Sequence, residues 1–203
     1  CIQCMPCAGA CPRKAIRFEE LSEAETYPTL TGEPLEDLIR CRRSIRHFSD
    51  RLPEKEMVQQ ALDTAAYAPS GKNQRAFRYT VVWGKHKVEE LRDRCMELCR
   101  EYGEAPELPK LLAKGTDLLT CGAPCMIVLH SPDDCLNPVL DPAVGMAQLE
   151  LLLVHKGLGT CWGGYLRQVS DRFPEIRSYL GVPEGSHVRC ALMVGYSKGE
   201  KYP

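Results

Sequence analysis

From Leu35 onward, the order of apolar and polar residues predicts many helices and few strands. Leu35, Leu38 and Ile39 recur at helical spacing over 35–41. Pro53 opens a second helix, with Met57, Val58, Ala61, Leu62 and Ala65 on one face. Ala68-Pro69-Ser70-Gly71 breaks it. Residues 78–83 read as a short strand with β-branched content. Residues 85–102 form a charged amphipathic helix, and 126–130 a second strand after Pro124. The most apolar helix is predicted over 142–156, where Gly157 ends it. A short helix over 174–180 stops at Gly181 and Pro183, and 188–196 is a final apolar strand. This order predicts an α+β domain, because it lacks the strict strand–helix–strand rhythm of a doubly wound fold.

Composition adds bounds to that pattern. With 203 residues, the chain has room for one large domain and a small appendage. Hydrophobic residues are 44% and charged residues 26%, which supports a normal packed core. The net charge of −1 gives no basic excess for nucleic acid and no acidic tail. The longest apolar stretch, 143–154, is interrupted by Gln148 and Glu150 and is too short and polar to span a bilayer. Three zones are expected: a cysteine-dense segment at 1–18, a polar linker at 19–34 with Pro28, Gly32 and Pro34, and the main domain at 35–203. No signal peptide is legible, and the first residue is Cys1 rather than Met, so upstream sequence is expected.

Twelve cysteines would suggest disulfides in a small secreted protein. Here four fall within the first eleven residues, and the rest are scattered through predicted helices and strands. That pattern favours metal ligation at one end and buried or free thiols elsewhere, in a reducing cytoplasm. Cys1, Cys4, Cys7 and Cys11 precede Pro12 at C-x2-C-x2-C-x3-C-P spacing. The two-residue gaps let three soft thiolates converge on one cubane, and Ala8, Gly9 and Ala10 let the backbone wrap closely. The competing reading is a zinc site, which usually pairs two C-x2-C units across a longer gap. The run resembles the end of a bacterial ferredoxin module. In modules with two clusters the fourth cysteine serves the other cluster. The resemblance therefore implies [4Fe-4S] ligation, with one or two clusters in a longer chain.

Three further segments carry candidate ligand chemistry. The first is Arg42-Arg43-Ser44-Ile45-Arg46-His47-Phe48, rich in the guanidinium and hydroxyl donors that suit a phosphate dianion. A cation there would also stabilise a ring that becomes anionic on reduction. The second is Ala68-Pro69-Ser70-Gly71-Lys72-Asn73-Gln74, a turn able to present an amide to a polar ring edge. The third is Gly157-Leu158-Gly159-Thr160-Cys161-Trp162-Gly163-Gly164, whose glycines let backbone approach a planar ligand. Its spacing, and its position after a helix, exclude a dinucleotide fingerprint. Each segment alone has a plain structural reading as a solvated charge run, a polar turn or a glycine-rich loop.

In this order, the three segments resemble the nitroreductase family from about Leu35 to the C-terminus. The resemblance implies a central, mostly antiparallel sheet flanked by helices, and a homodimer binding FMN at its interface. By position, Arg42, Arg43 and Ser44 would hold the FMN phosphate, with Arg46 at the pyrimidine edge. Ser70 and Asn73 would come from the second segment. Gly163 and Gly164 would offer backbone donors near the flavin N5. Lys198 or Lys201 would return to the phosphate after the last strand. Asn73-Gln74-Arg75-Ala76-Phe77 departs from the family's common Asn-x-Gln-Pro-Trp, leaving the contacts of Gln74 and Arg75 open. The implied activity is reduction of a small organic acceptor of nitroaromatic, quinone or enone type, with electrons relayed through iron–sulfur clusters. Reduced ferredoxin or NAD(P)H would be the donor. The alternative is a non-catalytic electron carrier serving a partner enzyme. No nucleophilic triad is legible. Cys161, and the pair Cys95 and Cys99, read first as packing residues.

Overall fold

A computed structural model describes Ala8, Cys11, Arg13, residues 15–17 and residues 31–198. The chain divides into two compact units, Cys1–Arg43 with Gly199–Pro203, and Ser44–Lys198. In the first unit, α1 (Pro34–Cys41) starts on a helix-initiating proline and carries Glu36 and Asp37 in its first turn. Asp37 accepts hydrogen bonds from the Thr31 and Gly32 backbone amides, which fixes the entry to the helix.

The second unit is built on a four-stranded antiparallel sheet in the order β1-β2-β4-β3. Its strands are β1 (Arg78–Trp83), β2 (Cys125–Pro132), β3 (Gly159–Trp162) and β4 (Ser186–Gly195). The helices are α2 (Lys55–Ala65), α3 (Lys85–Tyr102), α4 (Glu107–Leu112), α5 (Leu140–His155), α6 (Gly164–Arg172) and α7 (Pro174–Tyr179). Successive strand residues face opposite sides. Cys125, Ile127 and Leu129 of β2, with Cys190, Leu192 and Val194 of β4, pack under α2 and α5. Met126 and Val128, with Ala191 and Met193, pack on the other side against α3, α6 and α7. Helices cover both faces, so β2 and β4 lack the apolar–polar alternation of a one-sided sheet.

Most predicted elements are present with shifts of one or two residues. Two helices, α4 and α6, were not foreseen. The third segment, rich in glycine, reads as a loop, but it contains β3 and the first residue of α6. It pairs with β4 as Gly159↔Gly195 through Trp162↔Leu192. A four-residue strand holding two β-breaking neighbours carries too little periodicity to stand out from a glycine-rich turn. Cys95 and Cys99 are buried in the core beneath α3, in agreement with a packing role. Among the described residues no group of three or more metal-ligating side chains is present, and no helix is long and apolar enough to cross a membrane.

Candidate functional site

The first segment lies along the β3 edge of the sheet. Ser44 bridges Thr160 in parallel, and the Ile45 amide donates to the Thr160 carbonyl at 2.8 Å. Phe48 bridges Ser197, and the Lys198 amide donates to the His47 carbonyl at 2.8 Å. Ser44, Arg46 and Lys198 therefore lie along one edge of the sheet. The paired glycines make that close approach sterically open. A Cβ at Gly159 would lie 3.0 Å from Ile45 Cγ1. One at Gly195 would lie 2.6 Å from Pro124 Cδ and 3.0 Å from Phe48.

Beside this segment lies a cleft of about 310 Å³, near the lower end of the range for small-molecule sites. Arg46, Leu118, Cys121, Cys161, Trp162, Gly164, Tyr165, Gln168 and Met193 line it. Gly164 is the first residue of α6, where backbone N–H groups have no intrahelical acceptor. A Cβ there would meet nothing within 4 Å, so a side chain at this position would extend into open space. Gly163 is placed differently. Its N–H donates to the Ala191 carbonyl at 2.8 Å, and a Cβ would press on Ala191 at 3.2 Å. This bond joins the start of α6 to β4. Burial pushes the Cys121 thiol up to about 11, against the opposing pull of Arg46. Cys161 is buried in the core, consistent with packing.

The second segment is elsewhere. It is a short 3-10 turn, Gly71–Asn73, leading into β1 at the opposite edge of the sheet. Gly71 donates to Asp141 Oδ2 at 3.0 Å, and Leu136 donates to Gln74 Oε1 at 3.0 Å, so the turn is tied to the entry of α5. Arg75 Nε donates to Asn73 Oδ1 at 3.0 Å, while the Arg75 amide donates to Ser70 Oγ at 3.0 Å. These bonds answer the open question about Gln74 and Arg75, since both serve to hold the turn. Lys72, Asn73 and Arg75 all have positive φ, at 48°, 54° and 48°. Such clustered strain persists only where the surroundings fix it. β1 and β3 are three strand spacings apart, about 14 Å. One chain alone does not bring Ser70 and Asn73 to the cleft beside Arg46.

Arg42 and Arg43 belong to the first unit, at the end of α1. Arg43 Nη1 donates to the Arg40 carbonyl at 2.6 Å and the Arg42 carbonyl at 2.9 Å, capping the helix terminus. Lys201, Cys1, Cys4 and Cys7 lie outside the described residues. Cys11 is half-buried, and its Sγ accepts from the Ala15 amide at 3.4 Å. Five cleft residues escaped the sequence reading: Met193, within the predicted last strand, and Leu118, Cys121, Tyr165 and Gln168. The latter four sit on elements without a sequence signature of their own, so only the fold identifies them.

An antiparallel sheet covered on both faces, with a cationic, aromatic-walled cleft at the edge of its last pair of strands, defines a small-molecule enzyme site. The nitroreductase family model matches residues 39–196, and the chain belongs to the nitroreductase family of oxidoreductases. It is 30% identical over 166 residues to a putative NADH dehydrogenase/NAD(P)H nitroreductase of Archaeoglobus fulgidus, covering 81% of this chain and 86% of that protein. A nitroreductase from Desulfitobacterium hafniense, solved with bound FMN, superposes with a TM-score of 0.71 at 27% identity, covering 86% of this chain and 94% of that one. A nitroreductase from Bacteroides fragilis, also solved with bound FMN, gives 0.69 at 27% identity, with coverages of 83% and 90%.

Proposed function

We propose that the protein is an FMN-dependent reductase of a small organic acceptor, of nitroaromatic, quinone or enone type. The observation that carries this reading is the cleft itself. It brings Arg46, the α6 N-terminus at Gly164 and Tyr165 around one space. That donor set fits a flavin: a cation for the electron-rich pyrimidine edge, an amide for a ring nitrogen, and apolar walls for the ring faces. When bound, FMN supplies the electron transfer to the acceptor. The protein's own share is to hold the ring, favour its negative charge through Arg46, and limit water through Leu118 and Met193. Ser44 and Lys198, on the adjacent edge, are assigned to the phosphate. Arg42 and Arg43 complete that assignment from the sequence pattern, as does Lys201.

We assign the working form as a homodimer. Ser70 and Asn73 of one subunit would meet the cleft of the other, which reconciles their distance from Arg46 within one chain. Leu136, Val139, Leu140 and Val144, from 40% to 67% exposed, make an apolar patch at the start of α5 next to that turn. Contiguous apolar surface of this kind marks association sites. The open cleft favours an enzyme over a sealed electron carrier.

The domain reading is an iron–sulfur segment at 1–18, a linker at 19–34 and the flavin domain at 35–203. Its support is the cysteine spacing. Electrons would enter through one or two [4Fe-4S] clusters from ferredoxin, or directly from NAD(P)H. We assign this chemistry to the cytoplasm, with the thiol-rich composition as support. An anaerobic preparation tests both parts. A flavin absorption band, or uptake of added FMN, is expected, and neither appearing would sink the central reading. A cluster signal by electron paramagnetic resonance after reduction is expected, and its absence in the longest expressible chain removes the relay alone.

A further inference from the structure

The loop between α4 and β2 carries two of the cleft residues, Leu118 and Cys121. Both are half-buried and pack against the core layer that holds Cys161 and Met193, so they share a side of the sheet with the rest of that lining. Leu119 and Thr120, between them, are 0% and 1% exposed. The turn thus anchors its middle in the core and brings its two ends to the cleft. Cys121 holds a left-handed backbone, with φ 50°, which a residue other than glycine keeps only where its surroundings fix it.

Asp117 supplies that constraint. Its Oδ1 accepts the Leu119 amide at 3.0 Å and the Thr120 amide at 2.9 Å, and its Oδ2 accepts the Thr120 hydroxyl. The Thr120 hydroxyl oxygen in turn accepts the Gly122 amide at 3.2 Å, and the Thr120 carbonyl accepts the Ala123 amide at 2.9 Å. One carboxylate therefore heads a chain of bonds that runs from 117 to 123 and encloses Cys121. An aspartate that gathers nearby amides is a common turn builder. Here the turn it builds borders a ligand cleft. Burial acts first on the Cys121 thiol, followed by the charges of Cys161, Asp117 and Arg46, so these groups surround it. We propose that Asp117 is a positioning residue: by building the turn at 117–123 it sets Leu118 and Cys121 as one wall of the cleft, and so sets how tightly a planar ring is held there. The proposal rests on reading that cleft as the FMN site. The blander role for Asp117 is to fasten the loop to α3 through Arg92 Nη1, 3.8 Å from Oδ2, which would stabilise the domain as a whole and leave the wall incidental.

The two roles separate through the thiols. Cys121 reports on the wall, whereas Cys95 and Cys125, both 0% exposed, report on opening of the whole domain. Alkylation by N-ethylmaleimide at pH 8, with mass spectrometry of the resulting peptides, reads all three in one sample. Burial pushes the Cys121 thiol up to about 11. Freed from burial, it would ionise about a hundredfold more readily, while a less basic thiolate attacks about tenfold more slowly. In Asp117→Ala, without flavin, Cys121 alkylation is therefore expected to rise about tenfold, over an interval in which Cys95 and Cys125 stay unmodified. Asp117→Asn keeps Oδ1 for both amides, and Arg92→Ala removes only the ion pair from the turn, so each should stay close to the parent. FMN dissociation constants, measured by flavin fluorescence, are expected to rise about fivefold or more in Asp117→Ala, on the scale of one lost hydrogen bond, and to hold in Asp117→Asn. Bound FMN should shield Cys121 in the parent. Unchanged Cys121 alkylation in Asp117→Ala, alkylation that keeps pace with Cys95 and Cys125, an equal effect in Arg92→Ala, or an unchanged FMN constant where FMN does shield Cys121 would each overturn the proposal. Should Asp117→Ala fail to fold, Thr120→Val, which removes the hydroxyl joining Asp117 to Gly122, decides by the same criteria. If the parent binds no FMN, or binds it without shielding Cys121, the reading of the cleft falls, while alkylation without flavin still decides whether Asp117 sets the wall.

Discussion

At the scale of single residues, the charge of the cleft rests on Arg46. Among the described residues it is the one cation lining that space, and none of the others there is an acid or a base of the Asp, Glu, Lys or Arg type. A charged hydrogen-bond donor to a ligand oxygen is worth about 1.5–3 kcal/mol, so Arg46→Ala should weaken FMN binding at least tenfold. Arg46→Lys should recover part of that loss, since it restores the charge without the planar fork. Fluorescence titration of the apoprotein measures both. Alkaline pH gives a second residue-scale test. Burial pushes the Cys125 thiol up to about 12, and the Cys190 thiol up to about 11. A thiol whose folded value is raised stays neutral in the native state while the unfolded chain ionises. Its stabilising contribution is therefore complete below about pH 9 and is lost as pH rises toward 11 or 12. Each fully buried thiol then costs up to about 1.4 kcal/mol per pH unit. Thermal melts should show a falling midpoint between pH 9 and 11. Replacing Cys125 by Ala should flatten that fall while lowering the midpoint at pH 8 through the cavity it leaves.

At the scale of elements, the site depends on a seat that sequence order only partly discloses. Gly159 and Gly195 are cross-strand partners. Together they allow the segment 44–48 to lie against β3 and the end of β4. Gly195→Ala should destabilise the protein by about 1–3 kcal/mol, because the rigid Pro124 ring cannot yield as a flexible side chain would. Gly159→Ala should press on Ile45, displace Ser44 and Arg46, and weaken FMN binding more than its stability loss would suggest. Denaturant titration alongside flavin titration separates the two effects. The segments themselves were legible because arginine clusters, a Pro-Ser-Gly turn and a glycine run are compositional signals. What stayed hidden depends on pairing. β3 is too short and glycine-rich to show strand periodicity, and the first turn of α6 begins on a glycine. The commitment of the Gly163 amide to Ala191 is a contact across 28 positions, which no local pattern encodes. Glu150 was visible only as a polar interruption, since its partners Thr160 and Trp162 lie ten and twelve residues on. Long helices such as α3 and α5 were read closely because many residues contribute to one periodic signal.

At the scale of the whole molecule, the two halves of the expected flavin site lie on opposite edges of one sheet. The turn bearing Ser70 and Asn73 belongs to β1, and the cleft belongs to β3 and β4. Either that turn has another purpose, or a second copy supplies it. Two features favour the second copy. The turn is held in strained backbone by Asp141 and Gln74, a rigidity that an ordinary polar turn does not require. The apolar patch of Val139, Leu140 and Val144 begins beside it, on the same end of α5. Leu140→Glu places a charge in that patch without touching the core, as Leu140 is 67% exposed. In an interface, a buried unpaired carboxylate opposes association by several kcal/mol. The variant should therefore sediment as a monomer, with a thermal midpoint lower than the parent's at equal concentration. FMN binding should fall with association, although Leu140 lines no part of the cleft. Asn73→Ala in the otherwise unchanged chain should weaken FMN binding while leaving the sedimentation at the parent's value. If the Leu140→Glu monomer retains full FMN affinity, each chain holds its flavin unaided, and the turn at 70–73 loses its assigned place in the site.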